Sequence, residues 1–471
     1  MMSQPFAAES VERFGVRVLA GLLVAGLAAT LALMALAPEA LPLLPAAVVA
    51  LGAAVALLQR PTAGLVTALV LSAGLTGYDA VSQVGEVLFV LYSGAYLALW
   101  YGGRLLASRP IVLSATDAFM AVLVFGGLTF GVIAGVLAGA NGTMLAGEAR
   151  SFAMLLFYFP VREACESERD GATNVTAAFI VVGLVVVGWN VWTTLQAFAS
   201  ADQLWKIIDV RSAYGETTLT ASLMLSLALL LTSVRPRDRA SLMVLVSVLL
   251  IGFILTKSRG FWAAGALGMV AILGVLQRRD RKRLVVSGAV VVAVGVGVAL
   301  LVFGDYAQLM AVGLAKRFLT LGSATTTDAS LINRFHESAA VWDRVVANPV
   351  LGYGFGVPFG RYDIIYGGTL EWSFVHNGFL GTWYKIGLWG LGLVVAVWAS
   401  GIWRAARAAR ASNLTDRERA LAAAAVGVLV ALAVAANTST PFMLADQTLA
   451  LSVALGLAHG LSDRAAAPPA P

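Results

Sequence analysis

His376 and Asn377 close the longest polar stretch of the chain. Glycines follow at a set spacing: nine residues separate Asn377 from Gly387, and two separate Gly387 from Gly390. An imidazole titrates near neutral pH and hydrogen-bonds as donor and acceptor, so a histidine at a water–membrane border is suited to taking a proton from a hydroxyl. Asn377 is suited to orienting that hydroxyl or to capping a helix that follows. Gly387 and Gly390 would let another helix or a lipid chain approach closely. A second set of candidates is basic: Arg150, Arg211, Arg259 and Arg334. Arginine offers a planar, permanently charged fork that grips phosphate oxygens bidentately. Gathered on one side of a membrane, such residues suit a bilayer-borne substrate with a phosphate or diphosphate head group. They would also neutralise the charge that develops on a departing diphosphate.

Other chemistries find little support. Cys165 is the single cysteine, so neither an intrachain disulfide nor a multi-cysteine metal site can form. The histidines are His336, His376 and His459. His336 reads as a solvent-facing helix residue and His459 as a structural residue at the end of the last span. No HExxH, EF-hand or Walker pattern occurs. Leu351-Gly-Tyr-Gly-Phe-Gly356 is glycine-rich but lacks the strand-then-helix setting of a dinucleotide loop.

The elements that must position these residues are membrane helices. Of the 471 residues 59% are hydrophobic and 12% charged, with mean hydropathy +0.85. Soluble domains carry about 25% charged residues. Apolar runs near the length of a spanning helix recur, and the ten-residue alternation of barrels does not. The runs predict fourteen spans: 14–36, 40–58, 62–77, 83–101, 115–139, 145–160, 175–198, 216–233, 239–256, 260–276, 284–303, 377–400, 418–436 and 442–460. The first reads as a retained signal anchor, because its apolar run is long and Pro38 follows directly. Residues 461–471 read as a disordered tail, rich in alanine and proline.

Charge orients the spans. With the N-terminus in the cytoplasm, Arg13, Arg17, Arg60, Arg104, Arg109, Arg162, Arg169, Arg235, Arg237, Arg239, the five bases of the block 278–283, Arg404, Arg407, Arg410, Arg417, Arg419 and Arg464 fall on the inner side. These are most of the 32 basic residues, so the basic pI reflects orientation and requires no nucleic acid. Both termini are then cytoplasmic, and 304–376 is a large outer loop. The basic residues this rule leaves over are Arg150, Lys206, Arg211, Lys257, Arg259, Lys316, Arg317, Arg334, Arg344, Arg361 and Lys385. The plainer reading of Arg150 is a snorkelling side chain or an ion pair near Glu148. For Arg211 it is a solvated loop charge. Lys257-Ser258-Arg259-Gly260 puts two bases in a short outer turn, against the rule. Outer carboxylates are scattered, with no Asp-x-Asp or Glu-x-Asp pair, so arginines are expected to serve without a metal. Within the loop, 331–347 predicts a helix with Leu331, Phe335, Trp342 and Val346 at helical spacing, stopped by Asn348-Pro349. Residues 306–320 form a second amphipathic stretch, and 349–358 is too turn-rich for a helix.

On these residues the chain resembles the O-antigen ligase and O-antigen polymerase superfamily of bacterial envelope glycosyltransferases, over roughly 140–400. Four pieces carry the resemblance: Arg211 to Gly215, Ser258-Arg259-Gly260, Arg334…Trp342…Asn348-Pro349-Val-Leu-Gly352-Tyr-Gly354-Phe-Gly356, and His376-Asn377 with Gly387 and Gly390. The resemblance implies an all-α polytopic protein of the C-type membrane glycosyltransferase architecture in the bacterial inner membrane, with its active site facing the periplasm. It implies inverting, metal-independent glycan transfer from undecaprenyl diphosphate to an acceptor hydroxyl, with no cofactor. In ligases that acceptor is lipid A-core, and in polymerases another undecaprenyl-linked repeat. Carried over, Arg211, Arg259, Arg150 and Arg334 become diphosphate contacts and His376 the acceptor-side catalytic residue. Members often have a carboxylate where Lys385 stands, and eleven spans precede the loop here where ligases have nine. The competing class is a transporter or flippase of lipid-linked glycan, which would favour paired repeats and buried charges near the midplane.

Overall fold

The computed structural model describes residues 60–76, 80–112, 114–200, 215–233, 235–304, 306–319 and 329–467. Expected spans 14–36 and 40–58, and the candidate Arg211, lie outside them. The chain divides into two compact units, Met1–Asp117 and Ala118–Pro471. In the first, helix α1 (Pro61–Leu71) starts on a proline, whose fixed φ and missing N–H suit a first helical position. A 3₁₀ turn, Ser72–Thr76, leads on toward α2 (Ala80–Leu106). Gly74 and Gly85 touch backbone to backbone: a Cβ on Gly74 would lie 2.4 Å from the Gly85 carbonyl carbon.

Helix α3 (Ala115–Leu137) bridges into the second unit and widens to a π turn at Val122–Gly126. Then come α4 (Gly142–Ala153), α5 (Tyr158–Ser167), α6 (Gly171–Ala199), α7 (Glu216–Thr232), α8 (Pro236–Leu255), α9 (Arg259–Val275), α10 (Arg278–Phe303), α11 (Tyr306–Leu319) and α12 (Ala329–Ala347). A hairpin of β1 (Phe359–Asp363) and β2 (Gly368–Trp372) precedes α13 (Gly378–Ala408), α14 (Asp416–Ala435) and α15 (Ala445–Ala466). Among the described residues, six helices are long and apolar enough to cross a membrane: α3, α6, α8, α10, α13 and α14. Helices α7 and α9 are apolar but shorter. The expected span 145–160 is not one helix: α4 and α5 meet through a 3₁₀ turn at Met154–Phe157.

The core is built on α14 and α15. Small residues let neighbouring backbones close in, as membrane helix packing requires. Gly268 of α9 faces Gly427 of α14, and a Cβ on Gly268 would sit 2.6 Å from the Gly427 carbonyl oxygen. At one end of the bundle Asp463 binds both Arg162 (2.7 Å) and Arg404 (2.8 Å), and Arg464 binds Glu418 (2.6 Å). These pairs continue α15 to Ala466, so the expected tail from 461 is helical through that residue. They join the C-terminal ends of α5, α13 and α15 to the N-terminus of α14. The N-terminus of α13 therefore lies about 45 Å of helix away, at the other end.

The stretch after α10 departs from an all-α reading. β1 and β2 pair antiparallel, with Phe359 opposite Trp372 and Asp363 opposite Gly368. Asp363 shapes the turn: its Oδ1 accepts from the backbone N–H groups of Ile365 (2.9 Å) and Tyr366 (3.3 Å). Such Asx hydrogen bonding and the positive φ of Gly367 make the hairpin corner. Helix α12 forms where the spacing predicts it, but its buried row is Asn333, Glu337, Val341 and Val345. Phe335, Trp342 and Val346, from the expected apolar stripe, are exposed.

Candidate active site

His376 stands just before α13, where Asn377 caps the helix by accepting from the Leu380 N–H at 3.0 Å. Its ring is held from one side. Nδ1 lies 2.9 Å from Glu337 Oε2 and 3.1 Å from Oε1, and the His376 backbone N–H donates to Oε1 at 2.6 Å. Glu337 is fully buried, while the His376 side chain is 30% exposed. A carboxylate only accepts, so a neutral ring must carry its proton on Nδ1. Nε2 is left with its lone pair for a reacting hydroxyl. Phe374 meets the ring edge-on at 4.9 Å and restricts its tilt.

The carboxylate is held in turn. Arg361 donates to Glu337 Oε2 at 2.9 Å and to Asp363 Oδ2 at 3.3 Å, and its guanidinium lies over the Trp372 ring at 5.3 Å. Burial raises the Asp363 pKa, but hydrogen bonds from Ile365, Tyr366 and Asn333 and the Arg361 charge hold it below the ordinary carboxylate value. Asn333 also accepts from the Ile364 N–H at 2.9 Å. The hairpin thus braces the His376–Glu337 pair. Beneath it, Val341, Val345, Phe359, Val375 and Tyr384 form a small apolar core.

The turn-rich segment 349–358 threads into a break in α13. Ile386 and Gly387 are non-helical there. The freed carbonyls of Tyr384 and Lys385 accept from Tyr353 and Gly354, each at 2.9 Å, and the Leu388 N–H donates to Pro349 at 3.0 Å. A Cβ on Gly387 would fall 2.0 Å from the Val350 carbonyl oxygen, and its φ is +72°. Gly390 has its own helix's Ile386 side chain against it. The close neighbours at these glycines are the loop at Gly387 and a local side chain at Gly390. Farther along, Lys385 donates to Glu148 (3.1 Å) and to the Val357 carbonyl (3.1 Å), and Glu148 accepts from the Gly356 N–H at 2.7 Å. Both side chains are buried, so each charge answers the desolvation of the other.

Of the arginines expected at a diphosphate, Arg150 is exposed near the end of α4, two residues past Glu148. Glu148 pairs here with Lys385. Arg259 opens α9, and Arg334 lies partly buried on α12 one turn before Glu337. The segment 436–444, between α14 and α15, links three of these elements. A Cβ on Gly260, beside Arg259, would be 2.7 Å from Thr438 Oγ1. The Gly378 N–H, two residues after His376, donates to Ala436 at 2.7 Å. Phe152, two residues after Arg150, packs on Phe442. Phe152, Gly260 and Gly378 thus each meet this one turn. His336 lies exposed, edge-on to Tyr362, and His459 is buried beside Ser400 and Tyr158.

Sequence reasoning missed Glu337; it set Arg361 and Lys385 apart as left-over bases but missed their pairing with Glu337 and Glu148. Glu337 had a signal: it shares the i, i+4 row of Asn333, Val341 and Val345, opposite the more apolar stripe. The pairing of Lys385 with Glu148, 237 residues apart, had none. No curated protein matches the chain. Residues 242–395, which hold Arg259, Glu337, Arg361, His376 and Gly387, match the sequence model of the family described as O-antigen ligase, and this match over about a third of the chain supports the O-antigen ligase/polymerase superfamily.

Proposed function

We propose that this protein is an inverting, metal-independent glycosyltransferase that moves a glycan from undecaprenyl diphosphate to an acceptor hydroxyl. The reaction takes place on the periplasmic side of the bacterial inner membrane. The acceptor is lipid A-core or a related glycan. The observation that carries the reading is the His376 ring, held through Nδ1 by the buried Glu337 and turned toward solvent at the start of a candidate spanning helix.

In the reaction the acceptor oxygen attacks the anomeric carbon. The bond from that carbon to the phosphate oxygen breaks, and the diphosphate leaves with the electron pair. His376 Nε2 takes the acceptor's proton and Glu337 balances the imidazolium. Arg259, with Arg150, Arg211 and Arg334, holds the departing diphosphate. The family match supports ligase- or polymerase-type chemistry broadly.

His376→Ala is expected to abolish glycan transfer while the protein still inserts and folds. Full activity in that variant overturns the reading. Purified protein given undecaprenyl-diphosphate glycan, with and without a lipid A-type acceptor, separates the branches. Product only with the acceptor is ligation, chain growth without it is polymerisation, and movement of intact lipid-linked glycan is a flippase.

A further inference from the structure

Helix α12 has two faces with opposite surroundings. One buries Asn333, Glu337, Val341 and Val345 against the hairpin and α13. The other carries Leu331, Phe335, Ala339, Trp342 and Val346, which helical spacing stacks in one stripe roughly opposite. Phe335 is 55% exposed, Trp342 49% and Val346 61%. An apolar stripe of this length left in water is unusual and marks an interaction surface.

Its surroundings say which. The Trp342 ring meets Trp383 edge-on at 5.6 Å, and Trp383 lies in the second turn of α13, a helix able to cross a membrane. After α12 come Val350 and Leu351, both exposed, laid against α13 at Gly387. Leu388 and Val395, seven residues apart and so on one face of α13, are exposed in turn. The stripe is therefore continuous with the outward apolar surface of a candidate span. Tryptophan pairs are favoured where such a span meets the head groups, and an amphipathic helix beside it binds in the interface plane.

We propose that α12 is seated on the bilayer surface with Phe335, Trp342 and Val346 sunk in the lipid interface. Glu337 then lies on the helix's opposite face, away from the lipid, with the His376 ring it holds. The inference concerns a lipid contact and does not depend on the catalytic reading.

The test uses the full chain in nanodiscs of phosphatidylcholine and phosphatidylglycerol. Val346→Cys and Phe335→Cys carry an environment-sensitive dye attached in detergent, and Glu371→Cys on the exposed hairpin is the control. The native Cys165 is buried, and the parent chain checks that it takes no dye. With spin-labelled lipid, the dyes at 346 and 335 are expected to be quenched several-fold more than the dye at 371. Quenching no greater than at 371 overturns the proposal. A blue-shifted but unquenched dye, or a site that refuses dye in detergent, also overturns it, since protein then covers the stripe.

Discussion

Glu337 grips His376 twice, through the ring Nδ1 at 2.9 Å and through the backbone N–H at 2.6 Å. Ring and chain are thereby fixed to one carboxylate. Glu337→Gln keeps the shape but offers its amide as donor or acceptor, so it no longer fixes the tautomer. We expect transfer turnover to fall by about 10²-fold or more, with little change in KM. Glu337→Asp should recover part of it. Steady-state kinetics against pH check this, because a role in packing alone would leave the pH profile of the residual activity unmoved.

The Glu148–Lys385 pair makes a separate forecast for stability. Lys385→Met strands a buried carboxylate and is expected to cost about 3–5 kcal/mol. Adding Glu148→Gln should restore much of that loss. Thermal unfolding in detergent of the two single variants and the double gives the coupling. Simple additivity would mean the pair is not coupled in the folded protein.

Gly387 and Gly392 lie in the same helix but in different settings. Gly387→Ala forces a side chain into a positive φ and onto the Val350 carbonyl. We expect a loss of about 2 kcal/mol or more. Gly392 has nothing within 4 Å of an added Cβ. Gly392→Ala should be neutral or stabilising by up to about 1 kcal/mol. A comparison of the two melting temperatures decides it.

Asp363 predicts a pH dependence. Its folded pKa lies below the unfolded value, so its contribution to stability is complete above the ordinary carboxylate pKa of about 3.9 and is lost as the pH falls through the lower folded value. The hairpin should loosen at the acid end of that window, seen as faster amide exchange at Ile365 and Tyr366. Asp363→Asn should flatten that acid limb.

Much of this arrangement was legible in the chain. Most of the apolar runs from residue 62 onward coincide with single helices, 145–160 being an exception, because burial and span length both leave strong marks in the sequence. Asn377 declared a helix start, and Asn348-Pro349 a helix end, because caps and proline sterics are local. The hairpin was not seen, since its strands are short and its corner depends on the Asp363 hydrogen bonds. The contact face of α12 was misleading for a different reason. A protein core usually claims the most apolar stripe, but here the inner row carries a glutamate that meets a histidine 39 residues away. Pairings of that kind, like Lys385 with Glu148, are set by tertiary approach and leave no period.

The cluster around Glu337 has a consequence for how a proton is received. It holds one guanidinium, Arg361, and two carboxylates, Glu337 and Asp363. With a neutral imidazole the group carries one unmatched negative charge. When His376 gains a proton the group becomes neutral, so the enclosure is in charge balance after the proton arrives and not before. The counter-charge to an imidazolium is thus supplied by residues that never touch the acceptor.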